Sequence, residues 1–475
     1  MSVLDGFELV IGLEVHTELK TNTKMFCGCA NAFGGEPNTR ICPVCLGLPG
    51  SLPVLNVRAV ELAMAIGAAL HSTISPSTFH RKNYFYPDMP KDYQISQYDR
   101  PINVGGYLDL PDGSRVRIER AHLEEDTGKS THLGGSGRIH GAHRSLVDYN
   151  RSGVPLVEIV SGPDIRSSVQ ARAYASELRG ILVATGASDG RMEEGSMRID
   201  ANVSVRRPGE PLGTRCEIKN LNSLRSLQRA IDFEARRQID VLAAGGSIRQ
   251  ETRHWDETLA ETSTMRTKEE AEDYRYFREP DLVDVTPDVA WQERVRDALG
   301  PMPAERRAVL AARLVAPTSA QTDAINVVVD LELDAFVLAA LEARVDAGLA
   351  LARAANELAA GIKHVGQLAP ASFVATLAME ESGELSATQA KDVLAALLAN
   401  GGEPHEVARA MGFEQLSPES LGTTVAALIN QHPDEWNRYR GGDEKLAQFF
   451  IGQVMKVTKG QANGKAVVDE LRTRR

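Results

Sequence analysis

The chain has 475 residues, of which 43% are hydrophobic and 25% are charged. This length exceeds what one ordinary core needs, so we expect two or three domains. The formal net charge of −11 excludes attraction of polyanions by the whole surface, and any nucleic-acid contact therefore requires a local basic patch. Neither a bilayer-length apolar run nor a cationic and apolar leader before Gly12 is present, so we expect a cytoplasmic protein without a membrane segment.

Residues 1–295 predict an α+β domain. Short β-rich runs such as FELVIGLEVHTEL and MRIDANVSVR are separated by Gly- and Pro-rich turns. The stretch SLRSLQRAIDFEARRQIDVL carries apolar residues near helical spacing, namely Leu227, Ile231, Phe233 and Ile239. We therefore expect one long helix to pack on the sheet.

Residues 296–405 predict an all-α domain, because the composition shifts there to Ala, Leu, Arg and Glu. The helical segments are PAERRAVLAARLV, LDAFVLAALEARVDAGL and TQAKDVLAALLAN. Ser386 and Gln389 form a capping box before the third segment, and Gly401 is a stop signal after it.

Residues 406–475 predict a small helical tail domain. Its last segment has one apolar face, with Lys456 and Lys459 on the far side; the apolar residues are Leu446, Phe450, Val454 and Val457.

Four of the five cysteines lie close together: Cys27 and Cys29 form a C-x-C pair, and Cys42 and Cys45 form a C-x-x-C pair. Two close pairs on separate turns favour a structural zinc site with all four positions filled, which would fasten a loop rather than catalyse. The alternative is four reduced cysteines without a metal.

Acidic residues are the other candidates for chemistry. Strand alternation in GLEVH puts Glu14 and His16 on one face, where they could hold a divalent cation or simply face solvent. Glu158, in the apolar run VPLVEIVS, either meets a cation or lies on the open face of a sheet. Carboxylates from several strands suit Mg²⁺ bound to a nucleoside triphosphate. LEEDTGKS lacks the first glycine of a P-loop.

Long motifs in order along nearly the whole chain resemble the GatB family of tRNA-dependent amidotransferase subunits. These motifs are IGLEVHTELKTNTKMFCGC, CPVCLGLPGSLPVLN, RKNYFYPDMPKDYQISQYD, DYNRSGVPLVEIVS, MEEGSMRIDANVSVR, EIKNLNSL, DYRYFREPDL and GQVMKVTKGQAN.

The resemblance implies a fold, a reaction and partners. It implies a cradle-like catalytic domain of the glutamine synthetase and guanido kinase type, a helical domain and a tail that contacts tRNA. Members of the family activate the carboxylate of mischarged Asp-tRNA(Asn) or Glu-tRNA(Gln) with ATP, and ammonia then amidates it. The ammonia comes from a separate amidase, GatA, in a heterotrimer, GatCAB, that also contains the small protein GatC.

The resemblance also assigns residue roles. Glu14, His16, Glu124 and Glu158 match the family's Mg²⁺ ligands and catalytic residues, with Asp200 beside them. Lys82 and Lys91 match residues at the end of its ammonia tunnel, and the four cysteines match the zinc site of many members. Since adjacent carboxylates alternate faces in a strand, only one of Glu124 and Glu125 can face the metal, and we choose Glu124.

Two other readings remain. One is a standalone ATP enzyme of the glutamine synthetase type that acts on a free amino acid, and the other is a zinc-stabilised tRNA-binding adaptor without chemistry.

The sequence has neither an amidase GGSSGG stretch nor a histidine motif to pair with Cys216, so we expect the isolated chain not to hydrolyse glutamine. Which mischarged tRNA is used is left open.

Overall fold

The computed structural model describes residues 3–4, 6–134, 142–267, 274–314, 316–413, 418–458, 462 and 464–475. Lys459 of the predicted tail face lies outside these residues. The chain divides into two compact units, Met1–Pro303 and Ala304–Arg475. In the described part of the chain, none of the helices is both long and apolar enough to cross a membrane.

The described residues of the first unit form a large sheet, a separate hairpin and four α-helices. Its strands are β1 (Val3–Leu4), β2 (Phe7–Glu18), β3 (Thr73–Ile74), β4 (His80–Asn83), β5 (Tyr93–Ser96), β6 (Asn103–Val104), β7 (Tyr107–Asp109), β8 (Arg115–Glu125), β9 (Lys129–Leu133), β10 (Arg144–Asp148), β11 (Pro155–Ser161), β12 (Met197–Arg206), β13 (Cys216–Leu221), β14 (Glu251–Asp256), β15 (Glu261–Thr267) and β16 (Phe277–Arg278). Its helices are α1 (Val57–Ala69), α2 (Ser168–Ala184), α3 (Leu224–Ala243) and α4 (Val289–Asp297).

The main path through the sheet runs β15-β14-β13-β12-β2-β11-β8-β5-β4-β16, and β9 and β10 form a separate two-stranded sheet. Neighbours on this path are antiparallel except β13 and β14. Strand β2 is central, with β11 on one side and β12 on the other. The expected α+β class is therefore observed, and both quoted β-rich runs form strands.

Apolar side chains of β2 and of α3 share one core. Ile11, Leu13 and Val15 are fully buried, as are Leu227 and Ile231 of the predicted helix. Phe233 is only half-buried against this core. Burial of one face of β2 leaves its other face, which carries Glu14 and His16, available for polar contacts.

The second unit is helical. Its elements are α5 (Pro303–Ala312), α6 (Ser319–Asp330), α7 (Asp334–Glu342), α8 (Ala347–Arg353), a π-helical segment (Ala354–Leu358), a 3-10 helix (Ile362–Gln367), α9 (Pro370–Glu381), α10 (Ala387–Asn400), α11 (Pro404–Ala410), α12 (Pro418–Gln431), α13 (Pro433–Arg440), α14 (Leu446–Val457) and α15 (Gly464–Arg474). Among its described residues, one hydrophobic cluster lies within 310–408 and another within 421–471.

The predicted capping box is present, since Ser386 and Gln389 cap α10, and Gly401 follows its end with a φ of 68°. The segment LDAFVLAALEARVDAGL is two helices rather than one. Arg344 has a φ of 65°, which breaks the helix, and the Asp346 side chain caps the second helix at the Leu349 N–H. Val457 does not join the buried face of α14, because it is the helix's last residue and is 60% exposed.

Candidate functional site

One polar face of the sheet collects side chains from several strands. In register, Glu158 of β11 lies opposite His16 of β2, and Asp200 of β12 lies opposite Glu14. On the far side of β11, Glu158 also lies opposite His122 of β8. Because residues two apart in a strand share a face, strand pairing brings together side chains that are distant in the sequence.

The first group of possible metal ligands is His16, Glu124 and Glu158. Each offers one ligand atom within 4.8 Å of the others. His16 Nε2 lies 3.5 Å from Glu158 Oε2 and 3.7 Å from Glu124 Oε1. His122 Nε2 also lies 3.5 Å from Glu158 Oε2. Two carboxylates and imidazole nitrogens at these distances suit a divalent cation.

The second group is Glu14, Asp200 and Glu217, again with ligand atoms within 4.8 Å. Here an ammonium already lies between carboxylates, because Lys219 Nζ is 2.7 Å from Asp200 Oδ2 and 2.9 Å from Glu217 Oε1. Asn202 Nδ2 donates to Glu14 Oε1 at 2.9 Å. The structure thus groups Glu14 with Asp200 rather than with the other three predicted ligands.

A cavity of about 380 Å³ opens at this face and is lined by residues of both groups, including His16, Glu124 and Asp200. Three cationic side chains also line it, namely Lys82, Arg198 and Lys219. A cavity that combines several carboxylates with fixed cations is suited to phosphate groups and the metal ions that accompany them.

The pKa values of His16, in the first group, and of the neighbouring His122 are shifted in opposite directions. Burial opposes the charged form of His16, but the hydrogen bond and charge of Glu158 outweigh burial and raise its pKa to about 9. Burial lowers the pKa of His122 to about 4. Burial and the neighbouring Glu158 raise the pKa of Glu124 above its ordinary value. Without a metal, the charged imidazole of His16 therefore lies near the neutral imidazole of His122.

Glu125 faces a different cavity. Its carboxylate accepts hydrogen bonds from the Lys91 ammonium and from the Ile95 N–H, the latter at 2.8 Å. Glu125 and Lys91 line a second cavity of about 350 Å³, together with Cys27 and Cys45. Lys82 and Lys91, which the family resemblance assigned together, therefore line different cavities.

The four predicted zinc ligands are close together. The sulfurs of Cys27, Cys29, Cys42 and Cys45 all lie within 4.8 Å of one another. The hydrogen bond from Cys27 lowers the pKa of Cys45 to about 5, against the effect of burial. Four sulfurs at such separations match the donor set of tetrahedral zinc.

Comparison with known proteins gives a consistent result. A family model described as the GatB/GatE catalytic domain matches residues 9–293, and one described as a GatB domain matches residues 338–474. The chain belongs to the GatB/GatE family. It is 49% identical to the B subunit of the aspartyl/glutamyl-tRNA(Asn/Gln) amidotransferase of Frankia casuarinae, over 98% of this chain and 95% of the relative. The Mycobacterium avium protein of the same name is also 49% identical, with the same coverage.

The GatB/GatE catalytic domain contains site residues that sequence reasoning did not single out. His122 precedes Glu124 by two positions in the same strand, so strand alternation was a usable signal. Asn202 and Glu217 carried no local signal, because their proximity to Glu14 depends on strand pairing. The position of Lys219 between Asp200 and Glu217 likewise depends on strand pairing, so no local pattern marked it.

Proposed function

We propose that this chain is GatB, the tRNA-amidating member of an aspartyl/glutamyl-tRNA(Asn/Gln) amidotransferase. It activates the side-chain carboxylate of Asp-tRNA(Asn) or Glu-tRNA(Gln) with ATP, and ammonia then converts the activated group to an amide. The observation that carries this proposal is the cavity of about 380 Å³ in which His16, Glu124 and Asp200 meet the cations Lys82, Arg198 and Lys219. The names of the amidotransferase relatives support it.

The proposed reaction has two steps. A carboxylate oxygen of the substrate bonds to the γ-phosphorus of ATP, the bond to the β–γ bridging oxygen breaks, and ADP leaves. The ammonia nitrogen then bonds to the acyl carbon, phosphate leaves and the nitrogen loses a proton. Lys82, Arg198 and Lys219 hold positive charge beside the oxygens that gain negative charge, which lowers the barrier most where water is excluded.

Mg²⁺ fits the first ligand group better than the second. His16, Glu124 and Glu158 offer oxygen and imidazole donors, whereas the second group already binds the Lys219 ammonium. When bound, Mg²⁺ supplies charge neutralisation for the triphosphate. Nδ1 of His122 is buried without a hydrogen-bond partner among the described residues, while its Nε2 faces Glu158.

We also propose that the four cysteines hold structural zinc. Their sulfurs have the number and separation that zinc requires, and a fully occupied tetrahedral site leaves no position for water. The metal then fastens the loop that lines the second cavity beside Lys91 and Glu125.

The chain works, in this proposal, as part of a cytoplasmic GatCAB heterotrimer with the amidase GatA and the small protein GatC. Ammonia released by GatA travels to the cavity that Lys82 lines, and Lys82 lies near the end of its path. The pure chain does not hydrolyse glutamine, because neither an amidase serine motif nor a glutaminase cysteine and histidine pair occurs in its sequence. Robust glutamine hydrolysis by the pure chain would refute this part.

The domain proposal has three parts. Residues 1–295 form a cradle-like domain of the glutamine synthetase and guanido kinase type, 296–405 a helical domain, and 406–475 a tail that contacts tRNA. Truncation near Gly442 would cut through the cluster of Leu421, Tyr439 and Phe450. A deletion that tests tRNA binding by the tail should therefore begin at residue 414.

The deciding experiment is amidation by the complex of this chain with GatA and GatC, with mischarged tRNA, ATP and ammonium chloride. Ammonium bypasses the glutaminase step. We expect wild type to form the amide, and His16→Ala to lose at least about 100-fold of that activity, since even residues that merely orient metal ligands cost up to this much.

His405→Ala is the matched control, because His405 lies on α11 with a 66% exposed side chain. It should retain wild-type activity. If wild type forms no amide on either tRNA, the adaptor reading takes precedence. If it amidates a free amino acid instead, the standalone enzyme reading does.

A further inference from the structure

An aromatic cluster borders the cavity at the β4 and β16 end of the sheet. The rings of Tyr98 and Tyr276 stack, with centroids 4.2 Å apart and planes at 9°. Tyr98 is 49% exposed and Tyr276 is half-buried. Phe85, 66% exposed, and Tyr86, 45% exposed, follow β4 in the chain and add two further exposed rings.

Two chains of contacts join this cluster to the first cavity. Glu124 Oε2 accepts a hydrogen bond from Ser96 Oγ at 3.4 Å, and Ser96 lies opposite His80 in the sheet. The His80 ring meets the Tyr98 ring edge to face, with centroids 6.2 Å apart. From the other side, Nζ of the cavity-lining Lys82 lies 4.9 Å from the Tyr274 ring centroid.

The segment that carries Tyr274 and Tyr276 is held in place by hydrogen bonds. Asn83 Nδ2 donates to the carbonyls of Tyr274 and Arg275 at 3.2 and 2.8 Å. Just after it, Arg81 makes a two-point ion pair with Glu279 at 2.7 and 2.8 Å. The aromatic faces are thus fixed before any ligand arrives, which reduces the entropic cost of binding.

The same segment places a cation over an aromatic ring. Arg275 has a φ of 46°, an uncommon conformation for a residue other than glycine. Its guanidinium lies 5.7 Å from the centroid of the exposed Phe85 ring. Aromatic side chains with interspersed Arg and Lys form the typical surface on which proteins stack unpaired bases.

We propose that the Tyr98–Tyr276 pair, with Phe85 and Arg275 beside it, is the stacking platform for the unpaired 3′-terminal bases of the aminoacyl-tRNA. This inference rests on the proposed function, which requires the aminoacylated end to enter the cavity that Lys82 lines. The end of a tRNA offers consecutive unpaired bases, whereas ATP offers one adenine. Several exposed aromatic rings next to the cavity suit the consecutive bases of a tRNA end better than a single adenine.

Tyr98→Leu and Tyr98→Phe in the assembled complex test the platform. With ammonium as the nitrogen donor, the Leu variant should raise the KM for mischarged tRNA about tenfold, which corresponds to the loss of one stacked base. Its KM for ATP and its kcat should not change. The Phe variant keeps the ring and should restore the wild-type KM.

A second arm uses uncharged tRNA with and without its terminal adenosine, and measures the affinity of each for the complex. In wild type, removal of the adenosine should weaken binding about tenfold, and in Tyr98→Leu it should have no further effect. A raised KM for ATP would instead mean that the cluster binds the adenine of ATP.

An unchanged KM for tRNA, or dissociation of the complex by Tyr98→Leu, would overturn the platform in favour of a structural role or a role in assembly. A wild-type complex that cannot amidate tRNA would refute the proposed function itself, and is therefore distinguishable from these outcomes.

Discussion

Glu124 and Glu125 are adjacent in β8, yet their carboxylates lie in separate cavities on opposite faces of the sheet. Glu124 lies 3.7 Å from the His16 imidazole, whereas Glu125 pairs with the Lys91 ammonium, and both members of that pair are buried. Neutralising these two neighbours should therefore have different consequences.

Glu125→Gln should lower the free energy of unfolding by roughly 3 kcal/mol, because it leaves the buried Lys91 charge without its partner. Glu124→Gln should cost less stability than Glu125→Gln in metal-free buffer, since burial and Glu158 oppose the charged form of Glu124 and raise its pKa. It should nevertheless reduce ammonium-dependent amidation about 100-fold. Denaturant unfolding in the presence of a chelator and the amidation assay test both expectations, and equal destabilisation by the two variants would contradict them.

The Lys219 ammonium occupies the position that a cation would take in the second ligand group. Since its ammonium lies between Asp200 and Glu217, Lys219→Ala should open a further cation site of three carboxylates. Mn²⁺ titration followed by electron paramagnetic resonance should give one more bound ion per chain in this variant than in wild type. Asp200→Asn added to Lys219→Ala should remove the extra ion, and identical stoichiometry in all three proteins would disprove the interpretation.

The cysteine cluster predicts about one zinc ion per chain as purified. Cys45→Ser should lose the zinc and unfold at a lower temperature, because the ion fastens a loop by four bonds. Cys216→Ser is the control, since Cys216 is buried in β13 outside the cluster. Elemental analysis decides the matter, and a zinc-free wild type or a zinc-free Cys216→Ser protein would count against the site.

Glu234 of α3 predicts a pH-dependent contribution to stability. It is fully buried and accepts hydrogen bonds from Arg237, Gln238 and Thr262. Burial opposes its charge, but the bonds from Arg237 and Gln238 outweigh burial and hold its pKa below the ordinary value.

A carboxylate with a lowered folded pKa stabilises above its unfolded pKa, and this contribution is lost as pH falls through the folded value. Glu234→Gln should therefore cost about 3 kcal/mol at pH 7 and progressively less below pH 4.5, the ordinary value. Unfolding curves at several pH values measure this difference, and a deficit that grows in acid would contradict the assigned charge.

Local patterns predicted much of the fold. The run MRIDANVSVR coincides with β12, and the cap at Ser386 and stop at Gly401 bound α10, because capping and strand alternation act within a few residues. The break at Arg344 was missed because the residues around it favour a helix, and helix propensity is too weak a signal to exclude a local turn. Val457 was misplaced because periodicity does not reveal where a helix ends.

The site was only partly accessible from the sequence. Alternation correctly put Glu14 and His16 on one face, with the buried Val15 on the other. The division of the carboxylates into two groups was not predictable, because it depends on the register between β2 and β12 and on the irregular pairing of β12 with β13. The insertion of Lys219 between carboxylates depends on the same long-range pairing.

Because adjacent residues of β8 serve cavities on opposite faces of the sheet, the number of residues in this strand matters as much as their identity. Inserting one residue ahead of Glu124 would exchange the faces of both carboxylates, and would direct the partner of Lys91 toward His16. Inserting two residues would preserve the faces while shifting the strand by one repeat. Changes in β8 during evolution or design should therefore tolerate substitutions and paired insertions better than a single-residue insertion or deletion.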